Sequence, residues 1–255
     1  MSLGRGAVDA PTPAERVRAK RLLALLRECY PDAHCELAHT SPHELLIATI
    51  LSAQCTDAAV NRATPALFAR FPTPAAYASA TPEVIEPFVR SLGFFRSKAR
   101  AIHESMRAIV ERHGSRVPDR MEDLLALRGV ARKTANVVLS NAFGINEGVV
   151  VDTHVQRLSA RLGLVPPGLS TAAIERRLMA LFPREAWGEL SHLLIFHGRG
   201  ACKARVRRCA DHPVCRAFGA ACEARAEVRV SASNRRERAD RPPPSGDRPR
   251  RSGRS

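Results

Sequence analysis

The sequence predicts an all-α fold. Three observations carry the prediction. Apolar residues recur at helical spacing through most of the first 200 residues, Ser-Pro or Thr-Pro pairs open several of these stretches, and no segment alternates apolar and polar residues over the length of a strand. The one strand-like piece is Val149-Val150-Val151. At 255 residues the chain can bury a sizeable core, as one domain or as two small lobes.

In chain order, residues 1–14 are rich in Gly, Pro and Ala and are expected to be disordered. Glu15 to Tyr30 places Val17, Leu22, Leu23, Leu25 and Leu26 on an amphipathic helix that Pro31 ends. Ser41-Pro42-His43-Glu44 joins a cap, a first-turn proline and a Glu three residues on, so a helix starts there and runs towards Gln54. Further helices are expected over Thr56–Phe71, Thr73–Ala80, Thr81–Leu92 and Phe95–His113, the last stopped by Gly114. Pro118-Asp119 opens a short helix leading into a hairpin. Asp152-Thr153-His154 caps a helix reaching Leu162, and two more fit Ser170–Phe182 and Glu185–Phe196.

The hairpin spans Leu124 to Leu139. Gly129 permits a tight turn, and a second helix begins near Lys133. Such a turn can aim the amides of Val130, Ala131 and Arg132 at a phosphate, helped by the positive end of the helix behind them. An ordinary packing corner explains the same residues equally well.

The net charge is +15, which points to a polyanionic partner. Only four of the 40 basic residues are lysines: Lys20, Lys98, Lys133 and Lys203. Amine chemistry therefore has few candidates, because arginine stays protonated. Lys133 stands at a helix start beside Arg132, and both disfavour an ammonium at that place. A neutral amine there can attack a sugar C1′; a plain phosphate contact is the competing reading. Asp152 can stabilise an oxocarbenium-like sugar or assist the amine, and it can equally serve as a helix cap. The final 29 residues (227–255) hold nine Arg and four acidic residues, a basic disordered tail. No run of 18 apolar residues and no signal-peptide pattern occurs, so a cytoplasmic location is expected; nucleoid association and a monomeric state are separate expectations.

Four of the seven cysteines crowd together as Cys202-x6-Cys209-x5-Cys215-x6-Cys222, with Lys203 and Arg205 between the first two. Four thiolates suit zinc or a [4Fe–4S] cluster, and the lack of close Cys-x2-Cys pairs argues against a ribbon-type zinc site. The basic residues of this loop would face phosphates.

Leu127 to Ala135, Val151-Asp152-Thr153-His154-Val155-Gln156-Arg157 and the four-Cys loop together resemble the endonuclease III family. Leu51-Ser52-Ala53-Gln54-Cys55-Thr56-Asp57 and Ser97-Lys98-Ala99 extend the likeness, which covers roughly residues 16 to 225 in collinear order. The resemblance implies a bifunctional DNA glycosylase and AP lyase that removes oxidised pyrimidines from duplex DNA and cleaves the strand by β-elimination. A non-catalytic helix–hairpin–helix DNA-binding relative is the alternative. The implied fold is a six-helix barrel lobe (41–146, with hairpin 124–139) and a [4Fe–4S] lobe. The latter is built from an N-terminal helix region (15–40) and residues 147–226, with the Cys loop at 202–222. By the same resemblance Lys133 is the Schiff-base nucleophile and Asp152 the catalytic carboxylate. Cys202, Cys209, Cys215 and Cys222 are the cluster ligands, and Gln54 fills the gap left by the flipped nucleotide. Arg128, Gly129, Val130, Ala131, Arg132, Lys203 and Arg205 are the expected DNA contacts, with Phe94 as wedge.

The chain departs from the family pattern at several places. Arg128 and Ala131 replace a Pro and a Gly of the hairpin, and Phe94 replaces a wedging Leu. The Cys spacing differs from the family's x6, x2, x5, and His212 falls where the third Cys is expected. The reading is an enlarged loop still ligated by four Cys, with His212 as a ligand the lesser option.

Overall fold

The computed structural model describes residues 10–205 and 211–219, and among them every regular element is helical. Twelve α-helices follow one another: α1 (Pro13–Cys29), α2 (Pro42–Leu51), α3 (Asp57–Arg70), α4 (Pro74–Ser79), α5 (Pro82–Val89), α6 (Phe95–His113), α7 (Met121–Leu125), α8 (Arg132–Phe143), α9 (Thr153–Arg161), α10 (Thr171–Leu181), α11 (Trp187–Gly200) and α12 (Pro213–Phe218). Hydroxyl caps set most of the starts. Thr12, Ser41, Thr56, Thr73 and Ser170 each accept a hydrogen bond from the amide three residues on.

Two apolar cores form. α2 to α8 enclose the first, with α2 at its centre. Every residue from Leu45 to Leu51 is buried, so this helix is apolar all round and needs neighbours on all sides. The second core joins Leu22 and Leu26 of α1 to Val155, Leu158, Leu178, Leu190, Leu194 and Val214 of α9 to α12. The first helix of the chain thus packs with the last ones. Arg18 fastens it by donating to the carbonyls of Leu162 (2.7 Å) and Phe218 (3.0 Å).

Several expectations need correction. The expected disorder over residues 1–14 fails at its end, because Thr12 and Glu15 form a reciprocal capping box that starts α1. Val149-Val150-Val151 is no strand; with no partner strand beside it, the Val150 amide donates to Ser191 Oγ at 3.0 Å. The hairpin's first arm begins at Met121 rather than Pro118, and α11 follows a short 3₁₀ turn (Arg184–Ala186) and extends to Gly200. α12, inside the Cys loop, was not foreseen. His212 caps it, its Nδ1 accepting the Val214 amide at 3.3 Å. The tail over 227–255 lies outside the described residues.

Candidate active site and metal centre

The two cores meet along α8, and Glu175 is one of the side chains that join them. Glu175 of α10 accepts from Arg132 Nε (3.0 Å) and from Asn136 Nδ2 (3.0 Å), both on α8. Gly148 passes so close that a Cβ there would stand 2.6 Å from Asn136 Nδ2 and strike Glu175. A side chain at this position would have to displace the groups of the junction, past which the chain leads on to Asp152.

The hairpin turns at Gly129, whose φ of +78° favours glycine and whose added Cβ would meet Ala101 Cβ at 3.0 Å. Ala131 keeps an ordinary extended backbone, so its glycine-to-alanine departure costs the turn nothing. No side chain caps α8, and the amides of its first turn stay available. One expected contact is corrected here. The Val130 side chain is buried in the first core, and its amide closes the turn on the Leu127 carbonyl at 3.3 Å. The Arg132 guanidinium is held by Glu175 and the Glu147 carbonyl, while its amide, the group expected to meet a phosphate, lies at the α8 start that no side chain caps. Arg128 is exposed and paired with Glu104 at 3.0 Å.

Lys133 and Asp152 line one cavity of about 1000 Å³ between the cores, together with Gln54, Asp57, His154 and Arg199. Asp152 Oδ1 caps α9 by accepting the Val155 amide at 2.8 Å, and Oδ2 has no hydrogen-bond partner among the described residues. Capping and chemistry are therefore compatible in one carboxylate. His154 is bonded to Arg157 at 3.2 Å and packs against Gly198, a structural role.

Arg199, which lines this cavity, was not singled out in the sequence, and the contacts of Asp57 and Lys98 were not legible in the motifs that hold them. Arg199 of α11 pairs with Glu36 and, at 2.6 Å, with Asp57 of α3, so it clasps the two cores at the cavity edge. Burial pushes the Asp57 carboxyl up, and Asp152 adds to that while Lys133 opposes it. Lys98, only 5% exposed, donates to Cys55 Sγ at 3.1 Å and anchors the loop that carries Gln54. In the sequence Asp57 and Lys98 stand only as members of motifs that carry the family likeness, and Arg199 carries no signal.

Gln54 and Phe94 share a feature that no pattern announced. Their φ values are +56° and +59°, a left-handed backbone that non-glycine residues seldom adopt. Phe94 is 68% exposed, an aromatic ring standing in solvent at the start of α6.

The metal-binding expectation is met in part. Cys202 and Cys215 are buried beside a fully buried His197, and their donor atoms lie within 4.8 Å of one another. Cys209 and Cys222 lie outside the described residues. Soft thiol donors around one buried point fit a zinc ion or an iron–sulfur group. Arg161, at the end of α9, donates to Cys202 Sγ at 3.4 Å, so the helix that Asp152 caps also reaches this centre. Burial pushes the His197 imidazole down to about 4, with His212 and Arg157 adding to the effect. Lys203 and Arg205 are exposed close by.

Comparison with known proteins follows this geometry. The HhH-GPD superfamily of base excision DNA repair proteins matches residues 47–184. Endonuclease III of Synechocystis sp. is 51% identical over 198 residues, 78% of this chain and 90% of its own. Endonuclease III of Escherichia coli K12 is 43% identical over 194 residues, 75% of this chain and 91% of its own. A solved non-covalent endonuclease III–DNA complex superposes with a TM-score of 0.77 at 41% identity, covering 84% of this chain and 98% of that one. A trapped endonuclease III–DNA covalent intermediate gives the same TM-score and coverage at 40% identity.

Replacing Glu175 by Ala should leave the Asn136 amide, 2% exposed, without its acceptor, at a cost of about 1–3 kcal/mol. The half-exposed Arg132 adds little to that. Urea unfolding measures it, and an unchanged midpoint would show that the junction does not hold the cores together.

Proposed function

Because the chain belongs to the endonuclease III family within the HhH-GPD superfamily of base excision DNA repair proteins, we propose which of its residues carry out the repair reaction. The protein is a DNA glycosylase and AP lyase that acts on damaged duplex DNA. Oxidised pyrimidines are its substrates in this reading. One observation supports the assignment above the others: Lys133 and Asp152, nineteen residues apart in sequence, line the same cavity behind the uncapped end of α8.

A damaged base inside a duplex is out of reach until it is rotated from the stack. The amides at the start of α8 and the side chains of Arg128, Lys203 and Arg205 hold phosphates, fixing the strand over the cavity. Phe94 enters the stack as an apolar wedge, and Gln54 takes the vacated place opposite the orphaned base. Strained backbone at both tips keeps these side chains projecting rather than folded back. With the sugar inside, Lys133 Nζ attacks C1′, the bond from C1′ to the base breaks, and the base departs. Ring opening leaves an imine between Lys133 and the sugar. Loss of a C2′ proton then expels the 3′ phosphate oxygen and nicks the strand. Asp152 Oδ2, free of the capping bond, stabilises positive charge at C1′ and accepts the amine proton.

Cys202, Cys209, Cys215 and Cys222 hold a [4Fe–4S] cluster in this reading, supported by two buried thiols beside His197. Such a cluster supplies a folding constraint and a redox-active centre. Among the described residues no helix is long and apolar enough to cross a membrane. Work on DNA puts a cytoplasmic, nucleoid-associated location in this reading.

Base release from duplex DNA containing thymine glycol tests the assignment. Asp152→Asn should bind that duplex as the parent does and release the base at least about 100-fold more slowly; an equal rate would remove Asp152 from the chemistry. Phe94→Ala should lose more activity on the paired lesion than on the same lesion in a single strand. Equal losses would show that Phe94 is not the wedge.

A further inference from the structure

We propose that His212, Tyr30 and His197 form a one-way hydrogen-bond relay that ends on the sulfur of Cys215 and raises the reduction potential of the iron–sulfur cluster held there. The proposal rests on the reading of Cys215 as a cluster ligand.

The direction of the relay follows from one backbone amide. The Val214 N–H donates to His212 Nδ1 at 3.3 Å, so that nitrogen carries no proton and Nε2 of the neutral ring does. His212 Nε2 lies 3.0 Å from the Tyr30 hydroxyl and therefore donates to it. The hydroxyl then has its own hydrogen to give, and His197 Nδ1 stands 2.8 Å away as the acceptor. An imidazole that accepts at Nδ1 bears its hydrogen at Nε2, and His197 Nε2 lies 3.3 Å from Cys215 Sγ. Each step leaves one choice for the next.

Packing holds the parts in place. The His212 ring stacks on Tyr30 with an interplanar angle of 10°, and the Tyr30 and His197 rings meet edge to face. His197 is fully buried, so water does not compete for either nitrogen. Tyr30 immediately follows α1, which ties the N-terminal segment of the chain to a cysteine 185 positions later. An N–H donated to a ligand sulfur withdraws electron density from it and favours the reduced cluster. Tyr30, His197 and His212 act through Cys215 and are positioning residues.

The test uses the full-length protein purified with its cluster, comparing the parent with Tyr30→Phe. Iron and sulfide content, the midpoint potential and resonance Raman spectra in H₂O and D₂O are recorded. Both proteins should hold about four irons per chain. The variant should have a more negative midpoint, and its Fe–S stretching bands should respond less to deuterium. Equal midpoints and equal deuterium responses with full clusters would overturn the relay and leave the cluster assignment standing. A parent that binds zinc, or no iron, would overturn the cluster assignment and the relay with it. Strong nitrogen coupling in pulsed EPR of the parent, the mark of an iron-bound imidazole, would make His197 or His212 a ligand and overturn the relay in either case. Should Tyr30→Phe fail to hold the cluster, His212→Phe breaks the relay two bonds from the sulfur, and the same readings decide.

Discussion

The carboxylate of Glu175 is the contact on which the rest of this molecule depends. Two apolar cores can be buried separately, but a cavity between them has a defined shape only if something fixes one core against the other. Glu175 does so by holding Arg132 and Asn136, the first turn and the middle of the helix that begins at the hairpin. The glycine at 148 permits the chain to pass beside this junction and deliver Asp152 to the cavity. Arg199 repeats the arrangement at the other edge, reaching from α11 to Glu36 and Asp57. Lys133 and Asp152 come from different cores, so their meeting is a consequence of these polar links.

The same economy appears at the residues proposed to meet DNA. A helix start without a cap is a small loss of stability, since its amides find no protein acceptor. Left-handed backbone at Gln54 and Phe94 is a second loss, and an exposed aromatic ring is a third. In the proposed reading a nucleic-acid backbone and an unstacked base pair supply what is missing at these three places. Lys98, buried against Cys55, steadies the loop that carries one of these strained residues.

Much of this was legible in the sequence. Ser41-Pro42, Thr73-Pro74 and Gly114 marked helix ends that the fold respects, because caps and glycine stops act locally. The role of Asp152 as both cap and free oxygen was readable from its place before a helix. What escaped depends on contacts between distant segments. Nothing in the pattern around Arg132 says that its guanidinium turns to Glu175, or that Val130 faces inward. The Val149-Val150-Val151 run has strand composition, yet a strand needs a partner, and Ser191 takes the amide instead. α12 lay hidden because its six residues are too short for a helical period, and its cap, His212, was weighed as a possible ligand. Membership of α1 in the second core came from family resemblance alone, since neither composition nor spacing reveals which core a first helix joins.

The central claim is that an amine at position 133 performs the lyase reaction between the two cores. Borohydride reduction of the parent with duplex DNA carrying an abasic site, run beside Lys133→Gln, tests it most directly. A covalent protein–DNA band with the parent and none with the variant is the predicted result. Equal bands from both proteins would place the reacting amine elsewhere and contradict the account.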